Sequence, residues 1–184
     1  MRVIYENGTE SNILLRSFAR TLYRAKEGAR IVPANYQTDL EWSDETNNDQ
    51  VTGYIYILRS LSEEPQVQNL QNLYKIGYTT GSVENRIKNA QNDPTYLNAP
   101  VETVARYKCL NMNTQKLEHL IHHFFAEVRL NISLKLPDGT NYTPSEWYIV
   151  PLDVLDRVIE LISNGEIVNY YYDSGLHDIV FDKD

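Results

Sequence analysis

Three features of the 184-residue chain predict an α/β fold built around one main domain. Runs rich in β-branched and aromatic residues stand at GYIYILRS, LYKIGY and VETVARYKCL, and each is bounded by polar stretches, as strands are. Apolar residues recur at helical spacing around residues 82–91, 114–127 and 151–165. The chain is also 42% apolar and 11% aromatic, enough to bury a core at this length.

The first expected element is a helix from about Ser11 to Arg24. Leu14, Leu15, Phe18, Leu22 and Tyr23 share its apolar face, and Thr9 or Ser11 supplies the cap. Arg16, Arg20 and Arg24 stand in a row on another face, which reads as a solvated surface in preference to a phosphate-binding one. NYQTDLEWSDETNNDQ then shows no apolar period. Residues 1–50 are therefore expected to be an N-terminal helical extension plus an acidic linker, with a domain boundary near Val51.

From Gly53 the first strand runs through GYIYILRS, and a loop, LSEEPQVQNLQN, returns the chain to the second, LYKIGY, as an antiparallel pair. Ser82 caps a helix whose buried stripe is Val83, Ile87 and Ala90, and NDPTYLNAP ends it. VETVARYKCL is the third strand. Asn113 caps the next helix, with Leu117, Leu120, Ile121, Phe124 and Phe125 on its core face. After a turn at Asp138-Gly139, SEWYIV reads as a short strand and PLDVLDRVIELISNG as a helix closed by Asn164-Gly165. The main domain thus spans 51–165. The tail, 166–184, is expected to form a hairpin around Asp173-Ser174-Gly175.

Net charge bears on the partner. A formal −8 argues against nucleic acid if taken whole, because duplex binding rests on Lys and Arg meeting phosphates. The surplus is segmental, however. Residues 31–52 hold five acids and no base, 151–184 hold eight acids and two bases, and 53–150 balance nine against nine. A neutral centre permits a locally positive groove. The lone Cys109 sits in a strand pattern and reads as a buried thiol, which sets redox chemistry aside. No apolar run reaches membrane-spanning length and MRVIYENGTESN lacks a signal-peptide block, so the expected location is the cytoplasm.

Gly53-Tyr54-Ile55-Tyr56 and Lys75-Ile76-Gly77, followed by Arg86 on one helix and Glu118 on a later one, resemble the GIY-YIG nuclease family in the variant whose signatures read GYIY and KIG. The resemblance covers about residues 53–150 and takes in Glu146-Trp147-Tyr148. It implies a small, mainly antiparallel three-stranded central sheet flanked by helices, with Tyr56, Lys75, Arg86 and Glu118 converging on one face. It further implies an endonuclease that hydrolyses DNA phosphodiesters with Mg²⁺ or Mn²⁺.

The residue types suit that chemistry. Phosphodiester hydrolysis needs an activated nucleophile and neutralisation of developing charge. Tyr56 is the candidate general base, which requires a nearby cation or metal to lower a phenol from its usual value near 10. Lys75 stands where many family members carry a second Tyr, so Lys75, Tyr78 or Tyr54 is left as the group supporting proton transfer. Arg86 can brace a phosphoryl oxygen with two directed hydrogen bonds. Glu118 borders a buried stripe and suits a hard divalent ion, which takes one or two carboxylates and completes its shell with water and phosphate. His122, four residues on, and Asn131 are auxiliary substrate-binding candidates alongside Tyr54.

Two rival readings are weighed. His119 and His123 have zinc-ligand spacing, but HLIHH lacks the Glu of HExxH and the chain offers few soft ligands. A catalytically weak nucleic-acid-binding or protein-interaction module on the same fold fits the acidity, whereas the four central side chains favour the enzyme. DNA is the expected partner, a membrane is not, and a homo-oligomer is compatible with the sequence.

Overall fold

A computed structural model describes residues 3–4, 10–11, 29–34, 49–135 and 139–182. Val3–Ile4 (β1) pairs antiparallel with Glu10–Ser11 (β2). The expected helix beyond Ser11, its arginine row and most of the acidic linker lie outside the described residues, as does Asp138 of the expected turn.

The elements that follow are Arg30–Pro33 (β3), Val51–Ser60 (β4), a single turn Pro65–Gln68 (α1), Leu73–Thr79 (β5), Val83–Ile87 (α2), Val101–Leu110 (β6) and Thr114–Phe124 (α3). Leu134–Lys135 (β7) pairs with Asn141–Tyr142 (β8). Trp147–Ile149 (β9), Leu152–Ser163 (α4) and the hairpin Tyr170–Asp173 (β10) with Asp178–Phe181 (β11) complete the chain.

The sheet is antiparallel throughout and has five strands, in the order β3, β6, β4, β5, β9, where the resemblance implies three. The three expected strands form its middle. The additions are edge strands of four and three residues, too short to show a period of two. SEWYIV reads as a strand but carries no sign of its partner. RIVP, next to the acidic stretch, gives no strand signal of its own.

Burial follows from β4's central position. Ile55, Tyr56, Ile57 and Leu58 are all buried in succession, because both sheet faces are covered. On one face Ile55, Ile57, Ile76, Tyr107 and Cys109 pack against Leu117, Leu120 and Ile121 of α3 and against Val154, Val158 and Ile162 of α4. On the other, Tyr56 and Leu58 pack with Val83 of α2, Ala90 and Tyr96. The larger core also takes in Ile31 and, from the tail, Ile167, Tyr172 and Ile179, so groups outside 51–165 share it.

Local chemistry sets the element ends as the sequence indicates. The Ser82 side chain accepts from the Asn85 amide, and that of Asn113 from the Lys116 amide. Gly165 takes a left-handed φ of 81° just past α4. Gly53, at a register shift in β4, has φ 150° and brings its backbone so close to β5 that a Cβ would stand 2.7 Å from the Thr79 carbonyl oxygen.

Candidate functional site

The candidate site forms where β9 leaves β5. Pairing between these strands ends at Lys75 with Trp147, after which the Ile76 amide still donates to the Glu146 carbonyl at 3.1 Å. Beyond that point two side chains from α3 satisfy the strand edge. His122 Nε2 donates to the Ile76 carbonyl at 2.8 Å, and the Glu118 carboxylate accepts from the Tyr78 amide. The helix therefore holds its acid at a sheet edge where backbone polar groups would otherwise go unmet.

Tyr56 and Lys75 share the sheet face opposite α3. Tyr56 lies across from Gly77 in the ladder, and its ring occupies the space a side chain there would fill: a Cβ on Gly77 would fall 2.5 Å from the Tyr56 hydroxyl. The glycine of KIG is thus needed for the tyrosine of GYIY to lie flat on the sheet. Tyr56 is 2% exposed, and its hydroxyl sits 3.3 Å from that of Tyr96. Burial, then the Tyr96 hydroxyl, push the Tyr56 phenol far above its usual range, while Arg86 pulls it back.

Lys75 is fully buried. Its ammonium forms an ion pair with Glu146 and lies 4.9 Å from the centre of the Tyr96 ring. Burial lowers its pKa against the opposing pull of Glu146. Arg86 projects from α2 as an exposed residue, with its guanidinium 5.5 Å from the centre of the same ring. Among the expected residues, Arg86 is the cation whose charge bears on Tyr56; Lys75 is turned toward Glu146.

Glu118 is buried, and its carboxyl is raised to about 7 by burial first and by the charge of Glu146 second; Lys75 and the Tyr78 amide partly offset this. Two carboxylates close enough for one to raise the other are a donor set for a hard divalent cation, which would let both stay ionised. Among the described residues no group of three or more His, Cys, Asp and Glu could hold a metal. His119 and His123 are exposed on α3, so the described structure gives the zinc reading no support.

The remaining candidates are more dispersed. Burial pushes His122 down to about 4, so the ring is neutral and props the strand edge. Tyr54 is half-buried beside the Tyr56 cluster, paired with Thr79. Tyr78 pairs with Ile55, which turns its phenol to the sheet face opposite Tyr56; its amide is what meets Glu118. Asn131 is exposed in the segment before β7.

Sequence reasoning singles out neither Tyr96 nor Glu146 as a site residue. Tyr96 lies in a stretch that reads only as a helix breaker, and Glu146 just before a three-residue strand, so neither position carries a periodic signal. Tyr96 is nonetheless firmly placed. The Asp93 side chain caps the turn Pro94–Tyr96, Trp147 Nε1 donates to the Thr95 carbonyl at 3.0 Å, and Leu97 takes a left-handed φ of 61°.

A five-stranded antiparallel sheet with a phenol, two cations and two carboxylates gathered where β9 leaves β5 defines an α/β domain with a charged cluster at one sheet edge. The T5orf172 domain family matches residues 53–163, and the chain belongs to that family. It is 50% identical over 163 residues to a protein of Bacillus subtilis (strain 168) named Uncharacterized protein YeeC, covering 88% of this chain. The chain spans 41% of that relative's length. No solved structure matches the chain. No described helix is long and apolar enough to cross a membrane.

Proposed function

We propose that this domain is a GIY-YIG-type endonuclease that hydrolyses DNA phosphodiesters with Mg²⁺ or Mn²⁺. The observation that carries the reading is the gathering of Tyr56, Lys75, Arg86, Glu118 and Glu146 around the end of β5, on elements that all fall inside the matched family region. A binding module has no chemical need for a buried phenol beside an arginine and a carboxyl held near neutrality.

Glu118, with Glu146 beside it, would hold the metal ion, whose chemistry when bound is to neutralise charge developing on the phosphate. Tyr56 takes the proton of the attacking water. Burial opposes its ionisation, so the Arg86 guanidinium must favour the phenolate. Arg86, exposed on its helix, is free to reach a phosphoryl oxygen with two parallel N–H groups. Lys75 holds Glu146 and keeps the second carboxylate oriented toward Glu118. His122 and the Tyr78 amide fix the helix and the strand that carry these groups.

The reading is tested with a fluorescently labelled DNA duplex incubated with the purified protein and Mg²⁺, Mn²⁺ or excess chelator. Shortened products with either metal and none with chelator are expected. An intact duplex under all three conditions contradicts it.

A further inference from the structure

We infer that Tyr96 is a positioning residue of this site: its hydroxyl orients that of Tyr56, and its ring holds the Lys75 and Arg86 side chains in their working places. The inference rests on the nuclease reading above and extends it to a residue outside the four that carry the family resemblance.

Three observations support the assignment. The Tyr96 hydroxyl is 3.3 Å from that of Tyr56 and 3.5 Å from the Arg86 backbone carbonyl. A phenol has one proton to donate and lone pairs to accept with. While Tyr56 is neutral, Tyr96 can turn its proton to the Arg86 carbonyl and accept from Tyr56. Once Tyr56 has lost its proton, the same hydroxyl can rotate and donate to the phenolate. No side chain has to move, because only the hydroxyl proton turns.

Secondly, both site cations lie over this ring, the Lys75 ammonium at 4.9 Å and the Arg86 guanidinium at 5.5 Å from its centre. The negative face of an aromatic ring attracts cations, and this offsets part of the repulsion between two positive charges gathered at one site. Thirdly, the fold fixes the ring: it is 1% exposed, its turn is tied to β9 by the Trp147 hydrogen bond, and the next residue is held in a conformation that costs free energy outside glycine. The segment that carries Glu146 and enters β9 at Trp147 therefore also fixes Tyr96, so one short stretch sets both the second carboxylate and the phenol partner.

The two parts of Tyr96 can be separated by substitution. Tyr96→Phe keeps the ring and removes the hydroxyl. It should lower kcat roughly five- to tenfold, the rate equivalent of one buried hydrogen bond, and leave KM for a DNA duplex near the wild-type value. The rising limb of its pH–rate profile should move to lower pH, since the Tyr96 hydroxyl is among the groups that raise the Tyr56 phenol. Tyr96→Leu removes the ring as well and should also raise KM, because Arg86 and Lys75 lose their common support. Melting curves of both variants identify any general loss of fold. A Tyr96→Phe enzyme with wild-type kcat and profile overturns the positioning role while leaving the nuclease reading intact. So does a variant whose rate falls only in step with its melting temperature. Absence of cleavage by the wild-type protein overturns both.

Discussion

Glu118 links stability to the proposed function through a single side chain. Its carboxyl is raised to about 7 from an ordinary 4.5, with burial the main cause. Below about pH 4.5 the group is protonated in folded and unfolded chains alike. Between there and about 7 the unfolded chain releases a proton that the fold retains, so stability declines as pH rises through this window. At about 1.4 kcal/mol per pH unit, the effect amounts to a few kcal/mol at most. Glu118→Gln, which cannot ionise, should therefore melt above the wild type near pH 8 and together with it near pH 4, as followed by circular dichroism. Added Mg²⁺ should close the gap near pH 8 by stabilising the wild type alone. Equal melting at both pH values would mean that the carboxylate is solvated in the fold. Gly77 makes a second prediction at this scale. A methyl at this position would collide with the Tyr56 hydroxyl, so Gly77→Ala should cost about 1–3 kcal/mol in chemical denaturation and should lower cleavage by displacing the base.

At the scale of elements, α2 carries Arg86 on only five residues, far too few for a helix that sustains itself. It is held by the Ser82 cap, by burial of Val83, and by an ion pair at 3.1 Å between Glu84 and the buried Arg106 of β6. Ser82→Ala should cost about 1 kcal/mol, and much of that should appear as faster hydrogen exchange within α2 instead of a lower global melting point. The arginine would then be less well placed, and cleavage should fall more than stability does. Elements of this kind also mark what is legible in the sequence. Long elements with a clear period, β4, β6, α3 and α4, are readable to within a few residues, and so are the Ser82 and Asn113 caps. Of the two edge strands, β9 is legible within SEWYIV but β3 is not, because pairing at an edge is decided by the neighbour's exposed backbone and not by the residues of RIVP themselves. Tyr56, Arg86 and Glu118 can be named from motif spacing. The partner of Lys75 cannot, since Glu146 is 71 residues away and reaches it only because β9 pairs with β5. Tyr96 is hidden for the same reason, its place being set by a hydrogen bond from Trp147.

At the scale of the whole molecule, the tail is part of the core. Ile167, Tyr172 and Ile179 pack into the cluster that α3 and α4 form with the sheet. Ending the chain at residue 165 should therefore remove on the order of 5 kcal/mol of apolar burial and lower the melting point sharply, whatever the charge of the deleted residues. A truncated chain that melts with the full one would show the hairpin to be an appendage. With the acidic surplus in the flanks and a neutral central region, the proposed DNA substrate would be met only at a local site, where the proposed metal would serve as counter-charge. The decisive measurement is supercoiled-plasmid cleavage in Mg²⁺ by the wild type and by Glu118→Ala at matched concentration, with melting curves recorded for both. Nicked or linear plasmid from the wild type, none from a fully folded Glu118→Ala, is the expected result. Equal cleavage by the two proteins, or none by either, would contradict a metal-dependent site built on Glu118.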